Sequence, residues 1–211
     1  MKKAIIWGAN GGIGAALLSE LKAAGWTTIA VARETSEIDS LADLAFEADF
    51  ANPVSIEQAV YSISQEVESF DLWCYTAGDI LSAKVSEMTP GDWGRIISAN
   101  LSGAYAAIHY SLPLLSEEAH IVFLGAVSER LRLPGLSAYA AAKAGLEAFA
   151  ESLSKEQRKK RITVVRPGAV ATPLWEKVPL RMPVDVAPPG KIARKILEAY
   201  ESGHKGQLDL V

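Results

Sequence analysis

The sequence predicts an α/β fold: a single domain in which a doubly wound, mostly parallel sheet of seven strands carries helices on both faces. Strand-like and helix-like segments alternate along the whole chain, which is the order that a parallel sheet requires. The strand-like segments are mostly continuous apolar runs, as is typical of strands that are buried on both faces. No internal repeat or low-complexity linker divides residues 1–211, so we expect one domain over this range.

The individual elements follow from hydrophobic periodicity and from turn residues. Strands are predicted over 4–7, 27–32, 45–50, 70–75, 120–124, 161–165 and 207–211. Helices are predicted over 15–22, 54–68, 90–115, 137–159 and 192–202. The third of these helices is expected to be broken at most at Gly94 and Gly103. The stretch 36–44 is short for a full crossover helix, so we expect a trimmed connection there.

Composition and charge argue against several classes of protein. The net charge is −4, so nothing in the charge balance favours a nucleic-acid partner. The single cysteine, Cys74, permits no disulfide within the chain and agrees with a cytoplasmic location. No apolar stretch is long enough to cross a membrane, and Met1 stands too close to the first strand for a cleavable signal. The histidines have no cysteine or acidic cluster at metal-ligand spacing, so we expect no metal; they are His109, His120 and His204.

A glycine-rich turn between the first strand and the first helix is the strongest local signal. Glycine lets a backbone turn tightly and approach a phosphate, while the N–H groups and the dipole of a helix N-terminus attract negative charge. The order of strand, glycines and helix therefore predicts a nucleotide site, against the alternative of an ordinary strand-to-helix turn. The residues expected to hold the nucleotide here are Gly8, Asn10, Gly11, Gly12, Ile13 and Gly14.

Arg33 stands at the end of the second predicted strand, where a dinucleotide-binding fold selects its cofactor. A carboxylate at this place hydrogen-bonds the adenosine ribose of NAD, whereas an arginine accepts the 2′-phosphate of NADP. Arg33 therefore favours NADP(H), although Glu34 follows directly and leaves NAD(H) possible. The alternative is that Arg33 is only a solvated strand end.

Tyr139 and Lys143 lie four residues apart in a predicted helix, so they share one helix face. Because a nearby ammonium favours phenolate, we expect Lys143 to lower the pKa of Tyr139 from about 10 toward the range of a general acid or base. Lys143 could also hold a ribose hydroxyl. Tyrosine and lysine at this spacing are common and usually structural, so the pair gains meaning only together with the glycine turn.

The glycine turn and the Tyr139–Lys143 pair together resemble those of the short-chain dehydrogenase/reductase family, and the resemblance covers the whole chain. It implies a Rossmann fold, a nicotinamide cofactor and oxidoreductase activity. It makes Tyr139 and Lys143 the catalytic pair, which also contacts the cofactor, and Asn100 the catalytic asparagine that holds a proton-relaying water. It assigns further cofactor contacts to Asp49, Phe50, Ala77, Gly78, Pro167, Gly168, Val170 and Thr172.

The sequence departs from the family pattern where the catalytic serine is expected. That position, about thirteen residues before Tyr139, holds Ala126, and the lost hydroxyl normally stabilises charge that develops on a substrate carbonyl. Ser128 points to the same side only if the chain stays extended past Ala126, and it is a candidate catalytic residue on that condition. Trp7 and Thr76 replace the usual threonine and asparagine, which suggests a repacked floor beneath an intact cofactor site.

The resemblance makes the proline-rich loop 173–189 the place of the substrate lid. It is either an aromatic-lined lid over a flat substrate or a surface loop that packs on the core. Trp175 is the aromatic residue on which the first alternative depends.

Two functions from different classes fit the sequence. The first is an NAD(P)(H)-dependent oxidoreductase that transfers hydride to a carbonyl or an activated C=O or C=N group, with Tyr139 as the general acid or base. A quinone- or pterin-like substrate would need the missing serine least. The alternative is a catalytically weak NADP(H)-binding regulatory protein, which Ala126 favours and the retained Asn100, Tyr139 and Lys143 do not. We expect a small-molecule substrate, no nucleic-acid or membrane partner, and a homodimer or homotetramer.

Overall fold

Seven strands form one sheet in the residues that the computed structural model describes, which are 1–36, 38 and 40–210. The strands are β1 (Lys3–Trp7), β2 (Thr27–Ala32), β3 (Leu44–Glu47), β4 (Phe70–Tyr75), β5 (Leu115–Leu124), β6 (Arg161–Pro167) and β7 (Gly206–Leu210). Their order across the sheet is β3-β2-β1-β4-β5-β6-β7, and every neighbouring pair is parallel. The predicted seven-stranded, doubly wound architecture is thereby confirmed.

Helices cover both faces of this sheet. They are α1 (Gly12–Ala23), α2 (Pro53–Glu66), α3 (Pro90–Ile97), α4 (Gly103–Ser111), α5 (Ser137–Glu156) and α6 (Pro189–Ser202). The helices α1 and α6 share one buried cluster with the sheet, whereas α2, α4 and α5 share the cluster on the opposite face.

The side chains of β1 explain why the strands are apolar throughout. Ala4 and Ile6 belong to the cluster of α1 and α6, whereas Ile5 and Trp7 belong to the cluster on the other face. All four side chains are at most 1% exposed. Since complete burial of a large apolar side chain contributes about 2 kcal/mol, both faces of the strand contribute to stability.

The strand order reverses between β1 and β4, and this reversal decides where a ligand can bind. From β1 the chain builds outward through β2 and β3, and it then returns to add β4 on the other side of β1. The two connections leave the sheet edge in opposite directions, so a crevice opens beyond the carboxyl ends of these two strands. Open α/β sheets bind their ligands at such a crevice.

The third strand is shorter than the predicted range 45–50, because a turn that caps α2 begins at Asp49. The Asp49 carboxylate accepts the N–H of Ala51 at 3.0 Å, and its carbonyl accepts the N–H of Asn52 at 3.0 Å. Asn52 in turn caps α2 by accepting the N–H of Val54. Asp49 and Phe50 therefore follow the strand instead of forming its end.

The other element ends differ from prediction by a few residues. The fifth strand begins at Leu115 and not at His120, since Leu115 pairs with Phe70 before an irregularity in the register. The helix α5 ends at Glu156, three residues before its predicted end. Three predicted positions lie outside the described residues: Glu37 and Asp39 in the stretch 36–44, and Val211 in the closing strand.

The long helix predicted over 90–115 is divided by a π-helical turn at Ser98–Ser102. Gly94 lies inside α3 and causes no break, whereas Gly103 begins α4. The N–H of Gly103 donates to the carbonyl of Ser98, five residues earlier, which is the hydrogen bond of a π helix. A 3-10 turn at Leu112–Leu114 then leads into β5.

Two other kinds of feature are absent from the residues that the structure describes. None of the helices is long and apolar enough to cross a membrane. No three His, Cys, Asp or Glu side chains in the same residues come together as ligands for a metal ion.

His120 is a buried titratable group whose charge state links folding to pH. It is 0% exposed on β5, and its Nε2 lies 2.8 Å from Thr163 Oγ1. Burial, with the positive charge of Arg161, lowers the pKa of His120 from 6.5 to about 3. The folded protein therefore binds fewer protons at His120 than the unfolded chain does. The stability that comes from burying the neutral imidazole is complete above pH 6.5 and is lost as the pH falls toward 3.

We predict that His120→Gln flattens the acid side of the stability curve. Between pH 6.5 and 4 the wild-type free energy of unfolding should fall more steeply than that of the variant, by about 1.4 kcal/mol per pH unit. Urea unfolding followed by circular dichroism over this range measures both slopes. Replacement of the exposed His109 by Gln is the control and should leave the wild-type slope unchanged; equal slopes for wild type and His120→Gln would contradict the prediction.

Candidate active site

Gly8 lies where the ends of β1 and β4 approach each other most closely. Its φ is +83°, and a Cβ placed on it would lie 2.5 Å from the Cα of Ala77, which follows β4. The N–H groups of Gly8 and Ala9 both donate to the carbonyl of Val31, at 2.8 and 3.1 Å, so the turn is also tied to β2. Only glycine fits this position, both in backbone conformation and in volume.

The next glycines bring the N-terminus of α1 against the same turn. A Cβ on Gly14 would lie 2.8 Å from Thr76 Oγ1, and one on Gly12 would lie 2.9 Å from Thr172 Cγ2. Gly11 is the N-cap residue and gives the first turn of α1 no side-chain hydrogen bond. The first N–H groups of the helix are therefore not satisfied by a cap, and this cradle of glycine backbone fits a pyrophosphate.

Thr76 joins the ends of β4 and β1 through its side chain. Its Oγ1 lies within hydrogen-bond distance of the carbonyls of Trp7, at 2.9 Å, and Gly8, at 3.1 Å. The N–H groups of Thr76 and Ala77 also donate to the carbonyl of Trp7. The Trp7 ring is fully buried and packs edge-on against Phe50. The repacked floor predicted from Trp7 and Thr76 therefore keeps the two strand ends joined.

Three further predicted cofactor contacts lie at this carboxyl edge, because the strands that precede them are parallel. Arg33 follows β2 directly and is exposed. Asp49, after β3, is also exposed. Phe50 is 8% exposed and packs edge-on against Trp7 and Tyr75, so its ring forms the floor between the two strands. Of the three, Arg33 and Asp49 present charged groups to solvent at the crevice.

Asn100 lies inside the π-helical turn and is fully buried. Its Nδ2 donates to the carbonyls of Asp79, at 2.7 Å, and Ile96, at 2.9 Å, which fixes the orientation of the amide. Its Oδ1 is buried and has no hydrogen-bond partner among the described residues. This oxygen lies 2.9 Å from the place that a Cβ on Gly78 would occupy. An unpaired buried acceptor is rare in folded proteins and marks Asn100 as a functional candidate.

The sheet holds this π-helical turn through Tyr75 at the end of β4. The Tyr75 hydroxyl donates to the carbonyl of Ala99 at 2.9 Å. Burial raises the pKa of Tyr75, so the hydroxyl keeps its proton. Gly103, where α4 begins, leaves room for this contact, since a Cβ there would lie 2.7 Å from the same hydroxyl. The position of Asn100 thus depends on β4 as well as on its own helix.

Lys143 and Tyr139 lie on the inner face of α5 and are 3% and 8% exposed. Lys143 Nζ donates to the carbonyl of Leu124, the last residue of β5, at 2.9 Å, and it lies 5.6 Å from the centre of the Tyr139 ring. The same Nζ is 3.8 Å from the place of a Cβ on Gly78. Lys143 and Asn100 therefore approach one point beside Gly78 from two different elements.

Burial dominates the titration of this pair. It lowers the pKa of Lys143 to about 8, although the negative charge of Glu147 partly opposes the shift. It raises the pKa of Tyr139 to about 12. The expectation that Lys143 lowers the pKa of Tyr139 is wrong for this structure, because the solvation that the phenolate loses outweighs its attraction to the ammonium.

Ser128 does not stay on an extended chain past Ala126. It begins a 3-10 turn, Ser128–Leu131, and its hydroxyl donates to Glu147 Oε2 at 3.3 Å. Ala126 itself is 8% exposed. The role of Ser128 as a substitute for the missing serine depended on an extended chain, so it stays a prediction that this geometry does not favour.

The segment after β6 returns to the glycine turn. Pro167 ends β6, and the N–H of Gly168 donates to the last residue of β7. Val170 is buried and pairs with the chain that precedes α6. Thr172 reaches Gly12 at the start of α1, so this predicted cofactor segment borders the crevice.

The loop that follows Thr172 packs onto the region of Tyr139. It begins as a 3-10 turn, Pro173–Lys177, and Trp175 Nε1 donates to the carbonyl of Val170 at 2.8 Å. Its aliphatic side chains join the third apolar cluster of the protein. That cluster comprises Ile80, Leu81, Met88, Ile96, Leu131, Leu136, Ala138, Tyr139, Leu174 and Val178.

Asp79 connects this loop to the rest of the site, and the sequence did not single it out. Its Oδ1 lies 2.7 Å from Lys177 Nζ in the loop, its Oδ2 pairs with Arg95 on α3, and its carbonyl accepts a hydrogen bond from Asn100. A carboxylate directly after Gly78, in an otherwise apolar stretch, is the signal that could have found it.

Comparison with known proteins agrees with this geometry. The family model of the short chain dehydrogenases matches residues 2–182. An uncharacterized oxidoreductase of Staphylococcus epidermidis is 27% identical over 185 residues, which cover 83% of this chain and 80% of that protein. The 3-oxoacyl-acyl-carrier-protein reductase FabG of Escherichia coli is 30% identical over 181 residues, which cover 81% of this chain and 74% of that one.

A solved structure with the same fold is the alcohol dehydrogenase of the archaeon Thermococcus sibiricus, complexed with 5-hydroxy-NADP. The match has a TM-score of 0.90 at 20% identity and covers 100% of this chain and 96% of that chain. The chain belongs to the short-chain dehydrogenase family of oxidoreductases. The family predicted from the glycine turn and the Tyr139–Lys143 pair is therefore confirmed.

We predict that Gly8→Ala damages the fold far more than Gly25→Ala. Both glycines have a positive φ, of +83° and +77°, but a Cβ on Gly25 would have no neighbour within 4 Å. Gly25→Ala should therefore cost about 1–2 kcal/mol of unfolding free energy, from backbone conformation alone. Gly8→Ala should cost at least about 2 kcal/mol more, because the backbone at Ala77 must also move. Denaturant unfolding of both variants tests this, and similar losses would contradict the packing argument.

Proposed function

We propose that the protein is an NADP(H)-dependent oxidoreductase that reduces a carbonyl or an activated C=O or C=N group of a small molecule, with Tyr139 as the proton donor. The observation that supports this most is the approach of Asn100 and Lys143 to one point beside Gly78, with Tyr139 next to Lys143. A buried tyrosine, a buried lysine and an oriented amide at the edge of a nucleotide crevice are suited to moving a proton.

The residues at the crevice fit a nicotinamide dinucleotide. The glycine cradle at the start of α1 would hold the pyrophosphate, Arg33 the 2′-phosphate, and Asp49 the adenine. The segment from Pro167 to Thr172 would border the nicotinamide. When bound, this cofactor supplies a hydride to the electrophilic carbon of the substrate. The archaeal alcohol dehydrogenase of the same fold was solved with an NADP derivative, which supports the choice of cofactor.

The protein's own groups would supply the proton. The Tyr139 hydroxyl, which keeps its proton at neutral pH because burial raises its pKa to about 12, gives it to the oxygen or nitrogen that gains the electrons. The ammonium of Lys143 stabilises the phenolate that is left. The unpaired Oδ1 of Asn100 would accept a hydrogen bond from a water, which returns a proton by way of Lys143.

The substrate class follows from what surrounds Tyr139. Ala126 offers no hydroxyl to a carbonyl oxygen, so the substrate must itself be activated, as a quinone- or pterin-like ring is. The aliphatic cluster of Ile80, Leu136 and Leu174 beside Tyr139 favours the less polar of these two, a quinone.

One observation favours a second function, that of a catalytically weak NADP(H)-binding regulatory protein. Ala126 lacks the hydroxyl, and the nearest serine in sequence, Ser128, is engaged by Glu147. Under this alternative the cofactor binds but little turnover follows.

A homodimer or homotetramer in the cytoplasm is part of the same proposal. Tyr105 on α4 is 52% exposed and packs edge-on against Phe149 of α5, while Trp93 on α3 is 44% exposed. Ala144 and Ala148 lie on the exposed side of α5. Exposed aromatic rings beside small residues suit close packing of helices from two copies.

Oxidation of NADPH against a panel of aldehydes, ketones, quinones and quinonoid dihydropterin tests the proposed activity. We expect turnover with at least one activated class, and a loss of at least about 100-fold in kcat for Tyr139→Phe, since the proton donor is removed. Replacement of the exposed Tyr61 by Phe is the matched control and should retain the wild-type rate. NADPH binding with no oxidation above the Tyr139→Phe level on any substrate would favour the regulatory protein.

Arg33→Ala tests the choice of cofactor. Loss of a charge-assisted contact to the 2′-phosphate should raise the dissociation constant for NADPH by about 10- to 100-fold and leave that for NADH unchanged. Quenching or transfer of cofactor fluorescence on titration measures both constants. Arg158→Ala, at an exposed arginine beyond the end of α5, should change neither; a parallel loss for both cofactors in Arg33→Ala would count against selection by the 2′-phosphate.

A further inference from the structure

We propose that Glu147 is a positioning residue for the proton transfer: its buried negative charge, held in place by Arg166, stabilises the ammonium of Lys143. This inference rests on the proposed reductase function and adds a residue to it. Glu147 would act through Lys143 and touch neither substrate nor cofactor.

The spacing on α5 is the first observation. Tyr139, Lys143 and Glu147 follow one another at intervals of four residues, so they lie along one face of the helix. All three side chains are removed from solvent: Tyr139 is 8% and Lys143 3% exposed, and the Glu147 side chain is 12% exposed. A buried ammonium is costly unless a negative charge lies near it. Lys143 and Glu147 make no direct ion pair, so the charge acts through space.

The anchoring of Glu147 is the second observation. Arg166, at the end of β6, places its Nη1 3.3 Å from Glu147 Oε2, and Ser128 Oγ donates to the same oxygen at 3.3 Å. The other carboxylate oxygen, Oε1, is buried and has no hydrogen-bond partner among the described residues. The Glu147 carboxylate is thus held in one place by contacts to Oε2, while its Oε1 has no contact that would neutralise its charge.

The charge around Arg166 is the third observation. Its guanidinium also pairs with Glu129 in the 3-10 turn and with Asp209 on β7, each at 2.9 Å. One positive charge therefore serves three carboxylates, so Arg166 does not cancel the field of Glu147. Of the three carboxylates, Glu147 is the one whose charge acts on Lys143.

The directions in which the pKa values of Lys143 and Glu147 are shifted agree with this geometry. The charge of Glu147 opposes the burial that lowers the pKa of Lys143 to about 8. Burial raises the pKa of Glu147 itself, while Arg166 and the Ser128 hydroxyl lower it, and Glu129 and Asp209 raise it. Loss of the ammonium as the pH rises past about 8 should produce the falling limb of the pH–rate profile for reduction.

We expect Glu147→Gln to move that limb, and the titration of Lys143 itself, to lower pH by about one unit. The titration of Lys143 is followed by NMR of 13C-labelled lysine, with its signal assigned from Lys143→Arg, and needs no turnover. The pH dependence of kcat/KM for NADPH-dependent reduction is the second readout. Glu147→Asp keeps the charge and should restore the wild-type midpoint in both.

Glu151→Gln is the matched control, one turn further along α5. Glu151 is exposed and pairs with the exposed Lys155 at 3.0 Å, so its removal should leave the midpoint of Lys143 unchanged. If Glu147→Gln strands Arg166 and the protein fails to fold, the double variant with Arg166→Met removes both partners. Its Lys143 midpoint is then compared with that of Arg166→Met alone and should lie about one unit lower, since the two proteins differ only in the charge of Glu147.

The outcomes separate this inference from the proposed function. An unchanged Lys143 midpoint in Glu147→Gln relative to wild type, or in the double variant relative to Arg166→Met, overturns the role of Glu147 whatever the activity. If Glu147→Gln shifts the midpoint of Lys143 but the wild-type protein reduces no substrate, the reductase function alone is overturned. A shift of the midpoint together with the falling limb supports both.

Discussion

The close approach of two backbones at Gly8 and Ala77 is the constraint on which the site depends. Because no side chain fits between them, β1 and β4 end side by side, and Thr76 can tie both ends together. The helix α1 then starts directly over the turn, which presents its N–H groups to the crevice. The next residue along, Gly78, faces both Asn100 and Lys143. The glycine cradle and the side chains that we propose for proton transfer therefore share one short piece of chain, and displacement of that piece would disturb both.

The chemistry of the site is set by burial more than by pairs of charges. Tyr139 and Lys143 both lose contact with water, so each becomes harder to ionise. Lys143 is held by the carbonyl of Leu124, and we propose that the more distant carboxylate of Glu147 helps it to keep its proton. The two shifts favour a protonated phenol on Tyr139 and an amine on Lys143 that loses its proton more readily than that of a free lysine. A phenol that keeps its proton suits the role of proton donor that we propose for Tyr139.

The sequence predicted the fold well because alternation and apolar runs report directly on a parallel sheet. It predicted the glycine cradle for the same reason, since strand, glycines and helix are adjacent in the chain. It did not reveal that Ser128 bonds to Glu147, because the two residues meet only after β5 and α5 are packed together. The effect of burial on Tyr139 was missed too, since helical spacing brings Lys143 near but carries no information on solvent. The carboxylate of Asp79 follows Gly78 directly, so for this residue the sequence does carry a signal.

The π-helical turn has a consequence for chain length. In an ordinary α-helix each residue turns the chain by about 100°. Deletion of one residue between Ser98 and Ser102 would therefore rotate α3, which precedes the turn, by about this angle relative to α4. The Asn100 amide would then leave the carbonyl of Asp79, and Tyr75 would lose the carbonyl of Ala99. Exposed loops tolerate an added or missing residue with little loss. At this turn a one-residue deletion would remove the Asn100 amide from the site as completely as a substitution of Asn100 would, although every side chain of the site is still present in the sequence.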